Sequence, residues 1–403
     1  MKHSSTSNLP LSGVRVLDLS RIFAGPLCAQ VLGDLGADVI KVEHPQRGDD
    51  TRDWGKRIGS TNTAYFNSAN RNKRSIGVNL QTAEGRNIVL ELAKQSDVLI
   101  QNFKFGGMKK LGLDYETLKE VNPRLVYCSI TGYRTDGPEA ARPGYDVVIQ
   151  GESGLMAVNG DKGQGPLKFG VAAVDMFTGM YSAQAVLAAL FDSQRNGKGR
   201  HVELALYDCG VMITSYFSME ALLQEQDPEK FGNAHPSVVP YGVFEAQDGP
   251  IVIAVGNNAQ FQRFCVDVID RPDWASDPRF LTNTARSQHR DVLIPQLNDV
   301  LRGHRRDELL ERLSGVGIPC GKVQTLLQAL QSERSTSAGL FQDMPHPEAG
   351  TVPVMAPPYR IDGDRAPVRA APPMLAEDTD HILETLLGMN SARIAELRHT
   401  AVL

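Results

Sequence analysis

Asp175 stands in Gly170-Val-Ala-Ala-Val-Asp-Met-Phe-Thr-Gly179, an apolar run with a single carboxylate. Burying an unpaired carboxylate is costly, so this one needs partners or a task. A helix start at this point would offer it amide donors and a favourable dipole. The periodicity alone reads as an N-cap aspartate. A second concentration of chemistry is cationic. Asn70-Arg-Asn-Lys-Arg-Ser75 carries three cations, and an extended segment, Ile76 to Leu80, follows. That setting would let Lys73 or Arg74 meet phosphates, whereas the plainer reading is a solvated charge run. Gln101-Asn-Phe103 closes a strand, with Lys109 and Lys110 soon after. Several cationic or amide-bearing loops thus fall at successive strand ends, which suits an anionic, nucleotide-like ligand.

The elements that must hold these residues follow from hydrophobic period. Val14-Arg-Val-Leu-Asp-Leu19 reads as a buried strand, Leu27 to Leu35 as a helix with Pro26 in its first turn, and Ala37 to Glu43 as a second strand. This βαβ unit predicts a parallel, doubly wound sheet. The turn Ser20-Arg-Ile-Phe-Ala-Gly-Pro26 lies at a strand's carboxyl end, where such sheets bind ligands, but it lacks GxGxxG. The second strand ends at His44, a position that often faces a ribose or adenine and is otherwise a solvated end. Helices over Glu84 to Gln95, Tyr115 to Val121 and about Asp175 to Gln194 alternate with strands at Asp97 to Gln101, Leu125 to Ile130 and His201 to Leu206. A helical segment to about Gln226 follows, then a loop from Asp227 to Pro240, a strand from Gly249 to Val255 and a helix-rich stretch from Ala259 to Leu313. Pro345 to Pro373 reads as an extended return linker, and His381 to Leu387 as the closing helix.

Bulk properties narrow the class. The 403 residues suit two domains, and 41% hydrophobic with 22% charged residues is a globular balance. A net charge of −5 argues against nucleic acid as a partner. Five scattered cysteines with no CxxC pair disfavour zinc ribbons and dithiol sites, and no metal is expected. Met1 to Pro10 is polar and lacks a leader's apolar core, and no apolar run approaches the roughly 20 residues of a membrane span. The expectation is a cytoplasmic protein with no membrane partner.

The ordered motifs resemble the class III coenzyme A transferases. They are Val16-Leu-Asp-Leu with Ala24-Gly-Pro26, Leu35-Gly-Ala-Asp-Val-Ile-Lys-Val-Glu43, Asn72-Lys-Arg-Ser75, Asn102-Phe103, Ser129-Ile-Thr-Gly-Tyr133, Gly144-Tyr-Asp146 and Gly197-Lys-Gly199. Gly48-Asp-Asp-Thr-Arg52, Asn233-Ala-His235, Val239-Pro-Tyr241 and Gly256-Asn-Asn258 look most like the succinyl-CoA-dependent dicarboxylate branch. The resemblance implies acyl-CoA and small carboxylic acids as substrates and Asp175 as nucleophile. Asp175 would attack the donor thioester to give a mixed anhydride, and CoA thiolate would convert that to an aspartyl-CoA thioester. The acceptor carboxylate would then form a new anhydride, which the thiolate opens to product. A helix N-terminus would keep Asp175 ionised, and nearby glycine amides would stabilise the oxyanions.

By the same resemblance Ile22, Phe23 and Ala24 line the CoA pocket, and His44 stands where relatives often carry Arg. Val78, Asn102, Phe103 and Lys110 align with further CoA contacts, and Tyr145 and Asp146 with residues beside the thioester, while the cationic run adds Asn72, Lys73 and Arg74 as CoA-binding candidates. Gly232 to Tyr241 corresponds to a mobile loop over the site, here without its glycine richness. A related racemase branch uses a histidine where this chain has Tyr145. A tyrosine, with a reference pKa of about 10, is a poor base, so transfer is favoured. A non-catalytic acyl-CoA binder is the other alternative, and Asp175 speaks against it. The distal carboxylate of a dicarboxylate needs a cation. Arg52, Arg71, Arg142 and Lys168 are candidates, with His235 as the alternative hydrogen-bond donor. Glutarate, itaconate, mesaconate, malate and citramalate all fit as acceptors. The fold implied is α/β: a Rossmann-like large domain (1–225 and 323–403), a smaller α+β domain (226–322), and ring-like subunits interlocked as a homodimer.

Overall fold

The structure, a computed structural model, describes residues 9–403. Of the polar stretch Met1 to Pro10, read above for its lack of a leader signature, the first eight residues lie outside that description. The chain divides into two compact units. The larger takes the described residues up to Leu155, then Lys168–Glu220 and Glu333–Leu403, and the smaller takes Met156–Leu167 and Ala221–Ser332.

Six parallel strands form the larger unit's sheet. They are β1 (Arg15–Asp18), β2 (Asp38–Glu43), β3 (Lys73–Gly77), β4 (Val98–Gln101), β5 (Val126–Thr131) and β6 (His201–Ala205). Their order is β3-β2-β1-β4-β5-β6, and every neighbouring pair is parallel. This is the doubly wound order that the βαβ pattern predicts. Val98, Leu99 and Ile100 are wholly buried, as expected of strands covered by helices. The helices used below are α1 (Ala24–Asp34), α2 (Ala83–Lys94), α3 (Asp146–Glu152), α4 (Ala173–Asn196) and α5 (Leu206–Thr214). α1 begins three residues before Leu27, and Pro26 still falls in its first turn, where amides lack intrahelical acceptors. α1 and α4 cross closely at Gly179, where a Cβ would come 2.7 Å from the Ala24 carbonyl oxygen.

Three expectations need correction. α4 is 24 residues long and apolar enough by composition to cross a membrane, although no such run was expected. Half of its most apolar window is buried, as in a core helix packed on α1, α3 and α5. The proline-rich return segment is not merely extended. Phe341–His346 and Gly350–Met355 pair as an antiparallel hairpin that carries Pro345 and Pro353. The chain closes with a further helix, Ser391–His399, beyond Thr379–Leu387. Ile382, Leu383, Ile394, Leu397 and Val402 from these helices and the tail enter the same core as Leu17, Ile40 and Leu99.

The smaller unit is α+β. β7 (Tyr241–Ala246) and β8 (Gly249–Ala254) form a hairpin, and β9 (Cys320–Lys322) adds to β8 antiparallel. Its core includes Phe244, Ile251, Phe261, Phe264, Leu297 and Leu313. Arg286 is fully buried there and donates to the carbonyls of Val239 (2.6 Å) and Phe280 (2.9 Å), with its guanidinium 4.3 Å from the Phe261 ring centroid. Arg290 donates to the carbonyls of His235 and Pro236, and Asn283 to that of Ser237. These bonds anchor His235 to Ser237, within the segment from Gly232 to Tyr241, to the smaller unit.

Candidate active site

A cavity of about 390 Å³ opens at the carboxyl ends of β1, β4 and β5. It lies where β1 and β4 are neighbours and the strand order reverses, the crevice in which such sheets bind ligands. Arg21, Ile22 and Phe23 come from the loop after β1, Ala24 from the start of α1, and Asn102 to Phe105 from the loop after β4. Ile130 and Thr131 end β5, Gly132 and Ala140 to Tyr145 follow it, and Asp50, Asp175 and Leu206 complete the lining. The two parts of the β5 loop touch at glycines, since a Cβ on Gly132 would come within 2.6 Å of the Gly144 nitrogen.

The β1 loop is held from below and from the side. Ile22 has φ 72°, a conformation rarely adopted by a β-branched residue. Its N–H points at both carboxylate oxygens of Asp49, 3.2 Å from each. Asp49 is buried and paired with Lys41 at 2.9 Å, and Lys41 also donates to the Ser20 carbonyl at 2.8 Å. Asn102 bonds the backbone of Arg21 on both sides, accepting at 2.9 Å and donating at 2.7 Å. Phe23 packs edge-on against Tyr65, and the Arg21 guanidinium lies over Phe103.

Asp175 is the third residue of α4 and is 8% exposed. Among the described residues its carboxylate accepts no hydrogen bond. Burial, and then the neighbouring Asp146 carboxylate, push its pKa from 3.8 up to about 7. The expectation that the helix start keeps Asp175 ionised is therefore corrected. The reason is local: the amides of Val174 (2.9 Å) and Asp175 itself (3.3 Å) donate to Asp146 Oδ1. The next amides are also engaged, Ala173 with the Val171 carbonyl and Met176 with that of Ala172. Asp175 is not the cap of its own helix. That task falls to Asp146.

The cavity thus brings together Ile22, Phe23, Ala24, Asn102, Phe103, Arg142, Tyr145 and Asp175. Tyr145 is 58% exposed, at the start of α3. Other expected CoA contacts are absorbed by the fold. Lys73 is wholly buried, and its ammonium donates to Asp18 (2.9 Å), the Pro26 carbonyl (2.8 Å) and Asn70 (2.8 Å), leaving no donor for a phosphate. Desolvation there holds its pKa down to about 8. Arg74 is chelated by Asp38, and Asn72 bridges Asp34 to the backbone of Arg369 and Ala370. Val78 is a core residue. His44 and Lys110 lie outside the cavity lining, and His44 accepts the amides of Gln46 and Arg47 through Nδ1.

Two of the cations proposed for a distal carboxylate are likewise spent. Arg52 is buried against Glu43 at 2.6 Å, and Arg71 against Asp34 at 2.5 Å. Lys168 donates to the carbonyls of Phe169 and Gly170. His235 belongs to the smaller unit, where its Nδ1 accepts the amides of Ser237 and Val238. Arg142 lines the cavity, paired with Glu139 at 2.7 Å and with Glu152, and stacked on Tyr133. The sequence reading missed Arg21, Asp50 and Lys104. Their position beside motif residues was the available signal.

With this geometry in place, comparison with known proteins is decisive for the class. The profile of CoA-transferase family III matches residues 11–379, and the chain belongs to that family. It is similar to human succinyl-CoA:glutarate CoA-transferase, at 37% identity over 98% of this chain and 90% of that one. It is also similar to succinate--glutarate CoA-transferase of Agrobacterium fabrum, at 39% identity over 94% of this chain and 96% of that one. A crystal structure of a CaiB/BaiF family protein from Brucella suis superposes with a TM-score of 0.83 at 41% identity, covering 94% of this chain and 100% of the other. The protein is a CoA-transferase with acyl-CoA as substrate.

Proposed function

We propose that this enzyme moves CoA from succinyl-CoA to a dicarboxylic acid of glutarate type, with Asp175 as the covalent carrier. The observation that carries the reading is Asp175 itself, a carboxylate facing a cavity at the sheet's switch point in a chain similar to enzymes named for that exchange. Attack on the thioester gives a mixed anhydride and CoA thiolate. The thiolate returns to the aspartyl carbonyl and frees succinate. The acceptor carboxylate displaces the thiolate from aspartyl-CoA, and the thiolate then takes the acceptor's acyl group. An aspartate of raised pKa is a stronger nucleophile once ionised, which suits a carrier working near neutral pH. Arg142 is the proposed partner of the distal carboxylate, since it lines the cavity while Arg52 and Arg71 are buried in ion pairs.

Hydroxylamine added during turnover with succinyl-CoA is expected to leave a hydroxamate on Asp175. Asp175→Ala is expected to lose that product and at least about a thousandfold in kcat. Normal turnover by Asp175→Ala would remove the mechanism. A screen of paired donors and acceptors tests the choice of acid, and Arg142→Met should raise KM for dicarboxylates more than for monocarboxylates. The same reading has the enzyme working in the cytoplasm as a homodimer, which sedimentation would report as about twice 44.0 kDa.

A further inference from the structure

α4 begins without a cap of its own. Its N-cap residue, Ala172, has no side chain able to accept, yet the helix carries the reacting carboxylate in its first turn. The missing acceptor comes from α3. Asp146 Oδ1 receives the amides of Val174 and Asp175, and Asp146 Oδ2 receives Gln150 Nε2 at 2.7 Å. Gln150 is wholly buried, four residues on along α3. Its Oε1 accepts the Phe169 amide at 2.8 Å, and its Nε2 also approaches the Val171 carbonyl at 3.4 Å. Two side chains of one short helix therefore grip four backbone groups between Phe169 and Asp175.

We infer that Asp146 and Gln150 are positioning residues for the transfer reaction: they cap the Asp175 turn from outside and set a fixed negative charge behind the nucleophile. Asp146 is then not a CoA contact. Its catalytic consequence rests on the reading of Asp175 as nucleophile, while the cap and the charge do not. The charge works against ionisation of Asp175, so at a given pH fewer molecules are reactive but each carboxylate is more nucleophilic.

Each element packed on α4 brings other titratable or charged groups. α1 brings Cys28 and Asp34, α3 also brings Glu152, and α5 brings Tyr207, Asp208 and Cys209. β5 brings Tyr127 and Cys128, β6 brings His201 and Glu203, and α4 itself carries Tyr181, Asp192 and Arg195. Tyr65 is near enough to feel both carboxylates, and Tyr145, Arg21, Asp50, Lys104 and Arg142 share the cavity. What raises the Asp175 pKa is first its burial and then the Asp146 carboxylate.

The test is an NMR titration of the full chain labelled with carboxyl-13C aspartate, with the Asp175 signal assigned by its loss in Asp175→Asn. In Asp146→Asn, which keeps an acceptor for the Val174 amide, the Asp175 midpoint should fall by about one pH unit or more. The acid limb of kcat/KM should fall with it, kcat at pH 8 should drop several-fold, and KM for acyl-CoA should hold. Asp146→Ser, an uncharged cap, should behave alike. An unmoved midpoint overturns the inference, as does a raised KM with unchanged kcat, which would return Asp146 to CoA binding. A second readout tests the cap by itself: in Asp146→Ala, which leaves no acceptor, the Val174 amide must lose hydrogen-exchange protection, and unchanged protection also overturns the cap. Failure of hydroxamate trapping would instead remove the nucleophile reading and leave these titrations standing.

Discussion

Asp175 is asked to be buried and to be charged, and these demands conflict. Its raised pKa means that the neutral acid is the form the fold prefers. The stability it contributes is therefore complete below the unfolded value near 3.8 and is lost as pH rises through about 7. Asp175→Asn, which cannot ionise, should then be more stable than wild type by about 2–4 kcal/mol at pH 8, with the gap all but gone at pH 4. Urea midpoints at the two pH values measure this, and an equal gap at both would contradict it. The carboxylate was legible in the sequence because it interrupts an apolar run. Its governor was not, because Asp146 lies 29 residues upstream and a cap supplied from another helix leaves no local signature. The same limit applies to Lys73, whose phosphate-like setting hid a buried partner, Asp18, 55 residues away.

At the scale of elements, hydrophobic period was enough for β1, β2, β4 and β5, which are buried almost throughout, but it put the extended segment at Ile76 to Leu80 where β3 is Lys73–Gly77, because the buried Lys73 and Ser75 break its apolar run. It failed at α3, where Val147 and Val148 are exposed and no 3.6-residue apolar stripe exists. That short helix nonetheless determines how the site is built, because it faces the start of α4. The α1–α4 crossing is the other determinant. A Cβ at Gly179 would meet the Ala24 carbonyl oxygen at 2.7 Å and the Leu27 side chain at 3.1 Å, so the helices must part. Gly179→Ala should cost about 1–3 kcal/mol by overpacking. Because Ala24 lines the cavity, the variant should also raise KM for acyl-CoA. Loss of stability with KM intact would show that the loop after β1 does not depend on this crossing.

Across the whole molecule, the larger unit is closed by the chain's return, and composition could not show how. The proline-rich stretch lacks helical period, but its task is to present carbonyls and a few apolar side chains to strands far upstream. Arg52 is the clearest point of closure. It binds Glu43 through Nε (2.9 Å) and a second nitrogen (2.6 Å), the Asn62 side chain at 2.6 Å, and the Pro373 carbonyl at 3.3 Å, 321 residues later. Its guanidinium also lies 3.7 Å from the Phe66 ring centroid. Both side chains of the ion pair are almost wholly buried, so removing one partner strands the other's charge. Arg52→Met should therefore cost about 3–5 kcal/mol, more than a surface pair of the same geometry. Adding Glu43→Gln should return part of that loss, because the stranded carboxylate is gone. Denaturant unfolding of the two single variants and the double variant gives the coupling directly. Strict additivity would mean that the closure rests on the apolar core around Ile382 and Leu397 and not on this ion pair.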